Sequence, residues 1–290
     1  MENFVSSVIV TFNPPVETLQ NVAVLAGQMS RVVIVDNTPA SDATSVLTEL
    51  ERLEFCTVIR NQKNLGIAEA LNIGIRQAIS IGCEWIFTLD QDSQITDGYV
   101  EKMLSAHEQT SKYSRVGMVF PAYRDVRLGN TISLPKSAKG GVLVGMTSGA
   151  LLHKDVFNLV GPMESEFVID QVDHEYCLRM RSFGLRLTVC PDAVLLHSLG
   201  SMSFHTLCGR RFLTSNHNSR RRYYITRNRL VLMKRYFYND REWVKFELGR
   251  IPLETLTLFL FERHRFSKAL FMVRAAFDAA FDRLGQRVDL

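Results

Sequence analysis

Two aspartates, Asp90 and Asp92, are separated by one residue and directly follow an apolar run in the stretch WIFTLDQDSQ. Residues two apart in an extended chain project to the same side, so both carboxylates can share one divalent cation if the chain stays extended past Leu89. Oxygen ligands favour hard cations such as Mg2+ or Mn2+, and Mg2+ commonly also binds oxygens of a substrate phosphate. The same pattern also suits a strand-capping turn that includes Ser93 and Asp97.

A second acidic cluster, in the stretch FVIDQVDHEYCLR, contains Asp170, Asp173 and Glu175 just before and within the start of a predicted helix. The helix dipole favours carboxylates at this position, which accounts for one or two of the three. A carboxylate that faces a substrate hydroxyl can instead act as a general base. Both interpretations stay open at this point.

The elements that must position these carboxylates alternate in type up to residue 90. Short β-branched and aromatic runs predict strands at 5–12, 31–35, 55–60 and 85–89, and apolar periodicity predicts helices at 16–27, 42–53 and 67–82. Strands joined by helical crossovers form parallel sheets that are covered on both faces. The sequence therefore predicts an α/β fold with a mostly parallel sheet and helices on both faces.

Polar residues follow each of these four strands. They are Thr11 and Asn13, Asp36 and Asn37, Asn61 and Asn64, and Asp90 and Asp92. Ligands of open α/β sheets bind at the carboxyl ends of the strands, so these side chains predict one crevice. Turn formation before Pro14 and a loop ahead of the third helix would explain some of them equally well.

The rest of the chain predicts further strands at 116–121, 146–153, 186–190 and 193–197, with helices at 98–111, after 154 and in the second half of 167–183. Beyond about residue 220 the sequence is mainly helical, and we expect a boundary near Gly209. Five cysteines, odd in number and without a CxxC pair, favour a reducing compartment. The first residues do not resemble a signal peptide and no apolar run is long enough to span a bilayer, so we expect a cytoplasmic protein.

Seven motifs occur in an order that resembles inverting glycosyltransferases of family 2. They are VIVTFNP, VDN, NQKNLGIAEALNIGI, LDQDS, SGALL, FVIDQVDHEYCLR and VLLHSLGS, and the likeness extends over roughly residues 5–235. Within the family the chain particularly resembles bacterial rhamnosyltransferases of polysaccharide, O-antigen and rhamnolipid synthesis. The resemblance implies a GT-A fold with a Rossmann-like nucleotide-binding sheet and a helical C-terminal extension. It also implies a catalytic domain at 1–208, with a nucleotide-sugar half at 1–95 and an acceptor half at 96–208, followed by a basic amphipathic region at 209–290.

The resemblance further implies transfer of L-rhamnose from dTDP-L-rhamnose, with inversion, to a lipid-linked saccharide, polysaccharide or glycolipid. Nucleotide-sugar contacts are then expected from Thr11, Asn13, Asp36, Asn64, Gly66, Ala68 and Asp90. The expected ligands of Mg2+ or Mn2+ are Asp92, Asp90 and His197. Asp173 matches the catalytic base, and Asp170 is the second choice. The alternatives are a family member with another nucleotide sugar, or a non-catalytic nucleotide-binding module.

The segment 209–237 carries nine Arg or Lys residues and no Asp or Glu. It can form a solvated helix face, or Arg222 and Arg227 can bind the diphosphate, since guanidinium groups match phosphate oxygens. Together with the Leu- and Phe-rich segment after residue 252, it also suits peripheral contact with an anionic membrane or a homodimer interface. No nucleic-acid motif accompanies the charge, so nucleic acid is not an expected partner.

Overall fold

The computed structural model describes residues 4–42, 45–125, 131–197, 202–207 and 209–289, and it forms two compact units. The first unit comprises Met1–Ser165 and Val172–Ser198, and the second comprises Glu166–Gln171 and Leu199–Leu290. The short segment 166–171 thus belongs with the C-terminal residues, whereas the predicted boundary near Gly209 placed it with the N-terminal residues. The catalytic role assigned to residues 1–208 stays a prediction.

A nine-stranded sheet forms the centre of the first unit. Its order is β3-β2-β1-β4-β8-β6-β9-β5, with β7 beside β6. The strands are β1 (Val5–Thr11), β2 (Arg31–Asp36), β3 (Cys56–Arg60), β4 (Trp85–Asp90), β5 (Gln94–Ile95), β6 (Val116–Asp125), β7 (Thr131–Ile132), β8 (Ala150–His153) and β9 (Arg186–His197).

The first four strands are mutually parallel, as predicted, and the later strands are mixed. β1 lies between β2 and β4, and β3 extends the row beside β2. β8 joins β4 and β6 in antiparallel orientation, because the chain enters it from a loop and not from a crossover helix. The alternation of strand and helix that predicts parallel pairing ends before this point.

The two strands predicted at 186–190 and 193–197 are one continuous strand, β9. Cys190 pairs with Pro121 and Val194 pairs with the next residue, Ala122, so three residues of β9 are accommodated in a bulge. Pro191 lies in this bulge, where its missing N–H removes no ladder hydrogen bond. The proline therefore marks an irregularity within a strand and not the end of one.

Six helices complete the first unit: α1 (Glu17–Ala26), α2 (Ser45–Glu51), α3 (Ile67–Ser80), α4 (Tyr99–Ser111), α5 (Lys154–Val160) and α6 (Val172–Ser182). Helix α3 packs on β1 and β2, burying Leu71 and Ile75, and each such side chain contributes roughly 1.5–3 kcal/mol. Gly74 permits the close approach, because a Cβ there would collide with Val8 and Val35 of the sheet.

The second unit consists of a hairpin and three helices. Strands β10 (Ser203–Leu207) and β11 (Arg210–Thr214) pair in antiparallel orientation and precede α7 (Ser219–Tyr236), α8 (Arg241–Phe261) and α9 (Arg265–Ala280). Tyr223, Tyr224, Val168 and Ala275 form a buried cluster in this unit. Within the described residues, no helix has the length and apolar character required to cross a membrane.

Candidate nucleotide-sugar site

A buried carboxylate connects the ends of β1 and β2. The Thr11 hydroxyl donates to Asp36 Oδ1 over 2.7 Å, and the hydroxyl and backbone N–H of Thr38 donate to the same carboxylate over 2.8 and 3.1 Å. Asp36 is only 2% exposed, so these donors replace the water that the charge would otherwise require. The exposed Asn13 has a left-handed φ of 46° and donates its backbone N–H to Thr38 Oγ1. One hydrogen-bond network therefore connects three residues predicted to bind the nucleotide sugar: Thr11, Asn13 and Asp36.

Asn37 organises the third strand end. Its Nδ2 donates to the Gly66 carbonyl over 3.1 Å, and its Oδ1 accepts from Asn61 Nδ2 over 2.9 Å. The Asn64 side chain accepts from the Gly66 backbone N–H, and Gly66 has a φ of 83° that favours glycine. Ala68 is fully buried in the first turn of α3. Asn37 was not among the predicted site residues, although its position after β2 was the available signal.

The Asp90 and Asp92 motif forms a turn and not an extended strand. Strand β4 ends at Asp90, whose carbonyl accepts from Ser93 N over 3.1 Å, so the premise that the chain stays extended past Leu89 is wrong. Asp90 is half-buried and Asp92 is exposed. The intervening Gln91 accepts the Phe12 N–H on its Oε1 over 2.9 Å. This hydrogen bond attaches the turn to the end of β1, beside the other residues predicted to bind the nucleotide sugar.

Ser148 and Gly149, in the motif SGALL, support this turn from just before β8. The buried Ser148 hydroxyl accepts from Asp90 N over 3.1 Å and lies 2.7 Å from the Ser93 hydroxyl. Gly149 has a φ of 79°, and a Cβ there would lie 2.8 Å from both Leu195 Cδ2 and the Tyr99 hydroxyl. Only glycine fits this position, which explains the residue type in the motif.

Asp173 and Asp90 both act on one buried phenol, that of Tyr123. Burial raises the pKa of Tyr123 well above its usual range, and the carboxylates of Asp173 and Asp90 raise it further. The Tyr123 hydroxyl donates to the Met146 carbonyl over 2.9 Å. The same segment, 145–148, contacts the Asp90 backbone through Ser148 and α6, one turn after Asp173, through Cys177. Asp173 itself accepts from the His174 N–H over 2.8 Å.

The other two acids of the second cluster have ion-pair partners. Glu175 is buried and pairs with Arg179 over 2.7 Å within α6. Asp170, in the second unit, is held by the Arg221 guanidinium through contacts of 3.0 to 3.3 Å. This pairing occupies both oxygens of the Asp170 carboxylate, and the choice between Asp173 and Asp170 as the base stays a prediction.

Of the predicted arginines, neither is on a solvated helix face. Arg227 is fully buried and donates to the carbonyls of Gly285, Glu166 and Phe167. Arg222 pairs with Glu262 over 3.0 Å. Both guanidinium groups thus have partners within the second unit. The diphosphate role of Arg222 and Arg227 stays a prediction. Strand β9 ends at His197, whose side chain lies outside the described part of the chain.

Residues 6–158 match the family model for glycosyl transferase family 2. Over 248 residues the chain is 32% identical to dTDP-rhamnosyl transferase RfbF of Shigella flexneri, with 81% of each protein covered. The crystal structure of GalNAc-T7 with UDP, GalNAc and Mn2+ superimposes with a TM-score of 0.61 at 15% identity and covers 97% of this chain. The chain spans 58% of the length of that protein, and this likeness concerns the fold.

The sheet, with polar residues at its strand ends, has a fold like that of GT-A glycosyltransferases. The chain belongs to glycosyl transferase family 2. The predicted fold class and enzyme class are confirmed. The roles of individual site residues stay predictions.

Proposed function

We propose that the protein is an inverting rhamnosyltransferase that uses dTDP-L-rhamnose as its donor. The donor assignment is supported by the 32% identity to a dTDP-rhamnosyl transferase over 81% of the chain. The observation that carries the chemistry is that the segment 145–148 contacts both the turn at Asp90, through Ser148, and the helix of Asp173, through Cys177.

The nucleoside half of the donor would lie against the ends of β1, β2 and β3. The rigid Thr11 and Asp36 pair and the exposed Asn13 suit the base and ribose, because a fixed carboxylate accepts hydrogen bonds from ribose or pyrimidine donors. Asn64, Gly66 and Ala68 would form the wall beside the nucleotide. The absence of a side chain at Gly66 and the small one at Ala68 leave room for a close approach.

The turn at Asp90 and Asp92 fits a hard divalent cation, Mg2+ or Mn2+, because its donors are carboxylate oxygens. In the described ranges, no group of three or more His, Cys, Asp or Glu side chains is arranged to hold a metal ion. Asp90 and Asp92 would hold the cation together with oxygens of the donor diphosphate, and His197 is a further candidate ligand. When bound, the cation would supply positive charge to the departing diphosphate.

Asp173 is the proposed general base. It would accept the proton of an acceptor hydroxyl while that oxygen attacks the anomeric carbon, and the bond from that carbon to the diphosphate breaks on the opposite side. One displacement inverts the anomeric centre and requires no enzyme nucleophile.

The acceptor would be a lipid-linked saccharide, polysaccharide or glycolipid, reached through peripheral contact with the cytoplasmic membrane. Helices α8 and α9 support this, because they expose large apolar side chains together with basic residues. These are Leu253, Leu256, Leu260, Phe266, Leu270, Val273 and Phe277, with Arg263, Arg265 and Arg274. Such faces bind anionic lipid surfaces. Sedimentation with anionic vesicles tests this, and a homodimer without vesicle binding would contradict it.

The decisive experiment measures nucleoside diphosphate release from a panel of nucleotide sugars, with Mg2+ or Mn2+ present. We expect dTDP-L-rhamnose to be the preferred donor. Asp173→Asn and Asp92→Asn should each reduce turnover at least 100-fold (~3 kcal/mol). The matched control Asp155→Asn, at an exposed position, should retain full turnover. Preference for another donor would refute the rhamnosyl assignment only. Binding of donors without turnover would indicate the nucleotide-binding module.

A further inference from the structure

A cavity of about 310 Å³ with polar and apolar lining lies within the second unit. Its wall is formed by the segment 166–171, β11, α7 and α8, and it includes Asp170, Gln171, Thr214, Arg222, Ile225 and Thr257. The sequence makes Arg222 a candidate for the diphosphate and Asp170 the second choice of base, but the proposed function assigns neither of them a role. The cavity is therefore a separate feature that the proposed chemistry does not use.

The charges around the cavity balance. Three arginines line it, Arg222, Arg229 and Arg250, together with three carboxylates, Asp170, Glu254 and Glu262. Arg222 pairs with Glu262 over 3.0 Å, and Arg229 and Arg250 each pair with Glu254 over 2.8 Å. Because fixed charges of both signs neutralise one another, the wall favours a neutral polar ligand over an anion or a cation.

His217, which also lines the cavity, does not disturb this balance. Burial, followed by the charge of the neighbouring Arg221, lowers the pKa of His217 to about 4, whereas Asp170 opposes this shift. The imidazole is therefore neutral near neutral pH. In that form one ring nitrogen donates and the other accepts hydrogen bonds.

Three buried polar atoms of the wall make no hydrogen bond among the described residues: Arg222 Nε, Arg229 Nε and Gln171 Oε1. Arg229 Nε lies 2.9 Å from Glu247 Oε2 in an ion pair, which leaves the donor Arg222 Nε and the acceptor Gln171 Oε1. Arg222 is only 8% exposed, so its Nε is removed from bulk water. An unmade hydrogen bond of a buried group costs about 1–3 kcal/mol, which a ligand that pairs with both atoms would recover. A hydroxyl group both donates and accepts, and therefore matches this pair.

We propose that this cavity binds a neutral, polyhydroxylated saccharide unit of the acceptor. The identification of this ligand as the acceptor rests on the proposed function. Hydroxyls of the ring would pair with Arg222 Nε and Gln171 Oε1, and its C–H surface would pack on Ile225. In the sequence, Gln171 lies two residues before the proposed base, Asp173.

The test titrates the full-length chain with neutral methyl glycosides, including methyl α-L-rhamnoside, and with inorganic phosphate, by ligand-observed NMR. Gln171→Leu removes the acceptor atom and Ile225→Trp fills the cavity. Gln62→Leu is a matched control, because Gln62 shares a left-handed φ, 57° against 62° for Gln171, but is exposed. The exposed Val24→Trp on α1 controls for the added indole. Thermal unfolding of each variant verifies that it is folded.

We expect saturable binding of at least one glycoside. Gln171→Leu should weaken this binding about tenfold, as for one lost hydrogen bond, and Ile225→Trp should abolish it. Both control variants should bind with unchanged affinity. Glycoside binding that persists in both folded cavity variants, binding of phosphate in place of glycoside, or a cavity that holds water only would each overturn the proposal. The titration requires neither donor nor turnover. Its failure therefore leaves the transferase assignment intact, and an inactive chain that binds glycoside fails only that assignment.

Discussion

We expect the side-chain amide of Asn228 on α7 to be essential for holding the backbone conformation of the segment 166–171. Its Nδ2 lies 2.9 Å from the carbonyl oxygens of Phe167, Ile169 and Asp170, and its Oδ1 accepts from Arg227 Nε over 2.9 Å. Asn228 is fully buried. The contact with Arg227 also fixes which end of the amide faces the carbonyls, because a guanidinium can only donate.

The segment needs such support because its backbone is strained. Val168, Asp170 and Gln171 have left-handed φ values of 65°, 60° and 62°. Each such residue costs about 1 kcal/mol or more, and a β-branched residue such as valine is particularly unfavourable there. Because Nδ2 has only two hydrogens for three carbonyls, at least one of these bonds is shared.

Replacing Asn228 with Ala removes the two N–H donors of Nδ2 and the acceptor of Arg227 Nε, each with a net value of about 1 kcal/mol, so we expect a loss of about 3 kcal/mol in the free energy of unfolding. Asn228→Asp conserves the shape but directs an acceptor at three acceptors, so the loss should equal or exceed that of Ala. If Asp173 is the base, kcat should also fall with the donor KM unchanged, since residues 166–171 directly precede α6.

Asn218→Asp is the matched control on the same helix. Asn218 is the N-cap of α7, where its Oδ1 accepts from Arg221 N over 2.8 Å. A carboxylate preserves this bond and favours the helix N-terminus, so stability should change by less than about 1 kcal/mol. Both proteins are compared by urea denaturation and donor kinetics. Equal stabilities of the two Asp variants would refute the reasoning, because the donor role of Asn228 would then carry no weight.

Three further predictions concern stability. Gly149→Ala should cost about 3 kcal/mol through its left-handed φ and its clashes, whereas Gly249→Ala in open space on α8 should be neutral or stabilising by about 0.5–1 kcal/mol, as measured by urea denaturation. Thr11→Val removes a donor to the buried Asp36 and should cost about 2 kcal/mol, which Thr11→Ser should largely restore. Burial lowers the pKa of His217 to about 4 in the folded chain, so as the pH falls below ~6.5 the unfolded chain takes up a proton that the folded chain does not. The free energy of unfolding should therefore decrease as the pH falls from ~6.5 to about 4. His217→Gln should reduce this slope in urea titrations at varied pH.

The sequence predicted the strand ends well, because hydrophobic pattern and local turn chemistry are encoded within a few residues. Thr11, Asp36 and Asp90 lie at the ends of β1, β2 and β4 as expected. The contacts that hold them were not predictable in the same way. Gln91 reaches the Phe12 N–H across 79 positions of sequence, and Ser148 reaches Asp90 across 58. A polar residue in a turn gives no local indication of such a partner.

The basic segment 209–237 shows why linear charge is a poor guide to surface charge. Nine Arg or Lys residues without an acid predict a positive face. Acids from other parts of the second unit neutralise several of them: Glu262 pairs with Arg222, Glu247 and Glu254 pair with Arg229, and Asp170 pairs with Arg221. Burying an arginine without such a partner would be costly, so the fold brings acids from elsewhere in the sequence to it.

The choice between Asp170 and Asp173 depends on the same kind of long-range contact. Both residues match the acidic motif, and both can be placed near a helix start by sequence reasoning. Asp170 has a left-handed backbone and a carboxylate that Arg221 binds through two nitrogen atoms, 51 positions later. Asp173 instead lies in the first turn of α6, in the first unit, so two acids of one short motif belong to different compact units. The motif alone gives no sign of this division, because the partner that holds Asp170 comes from a distant part of the sequence.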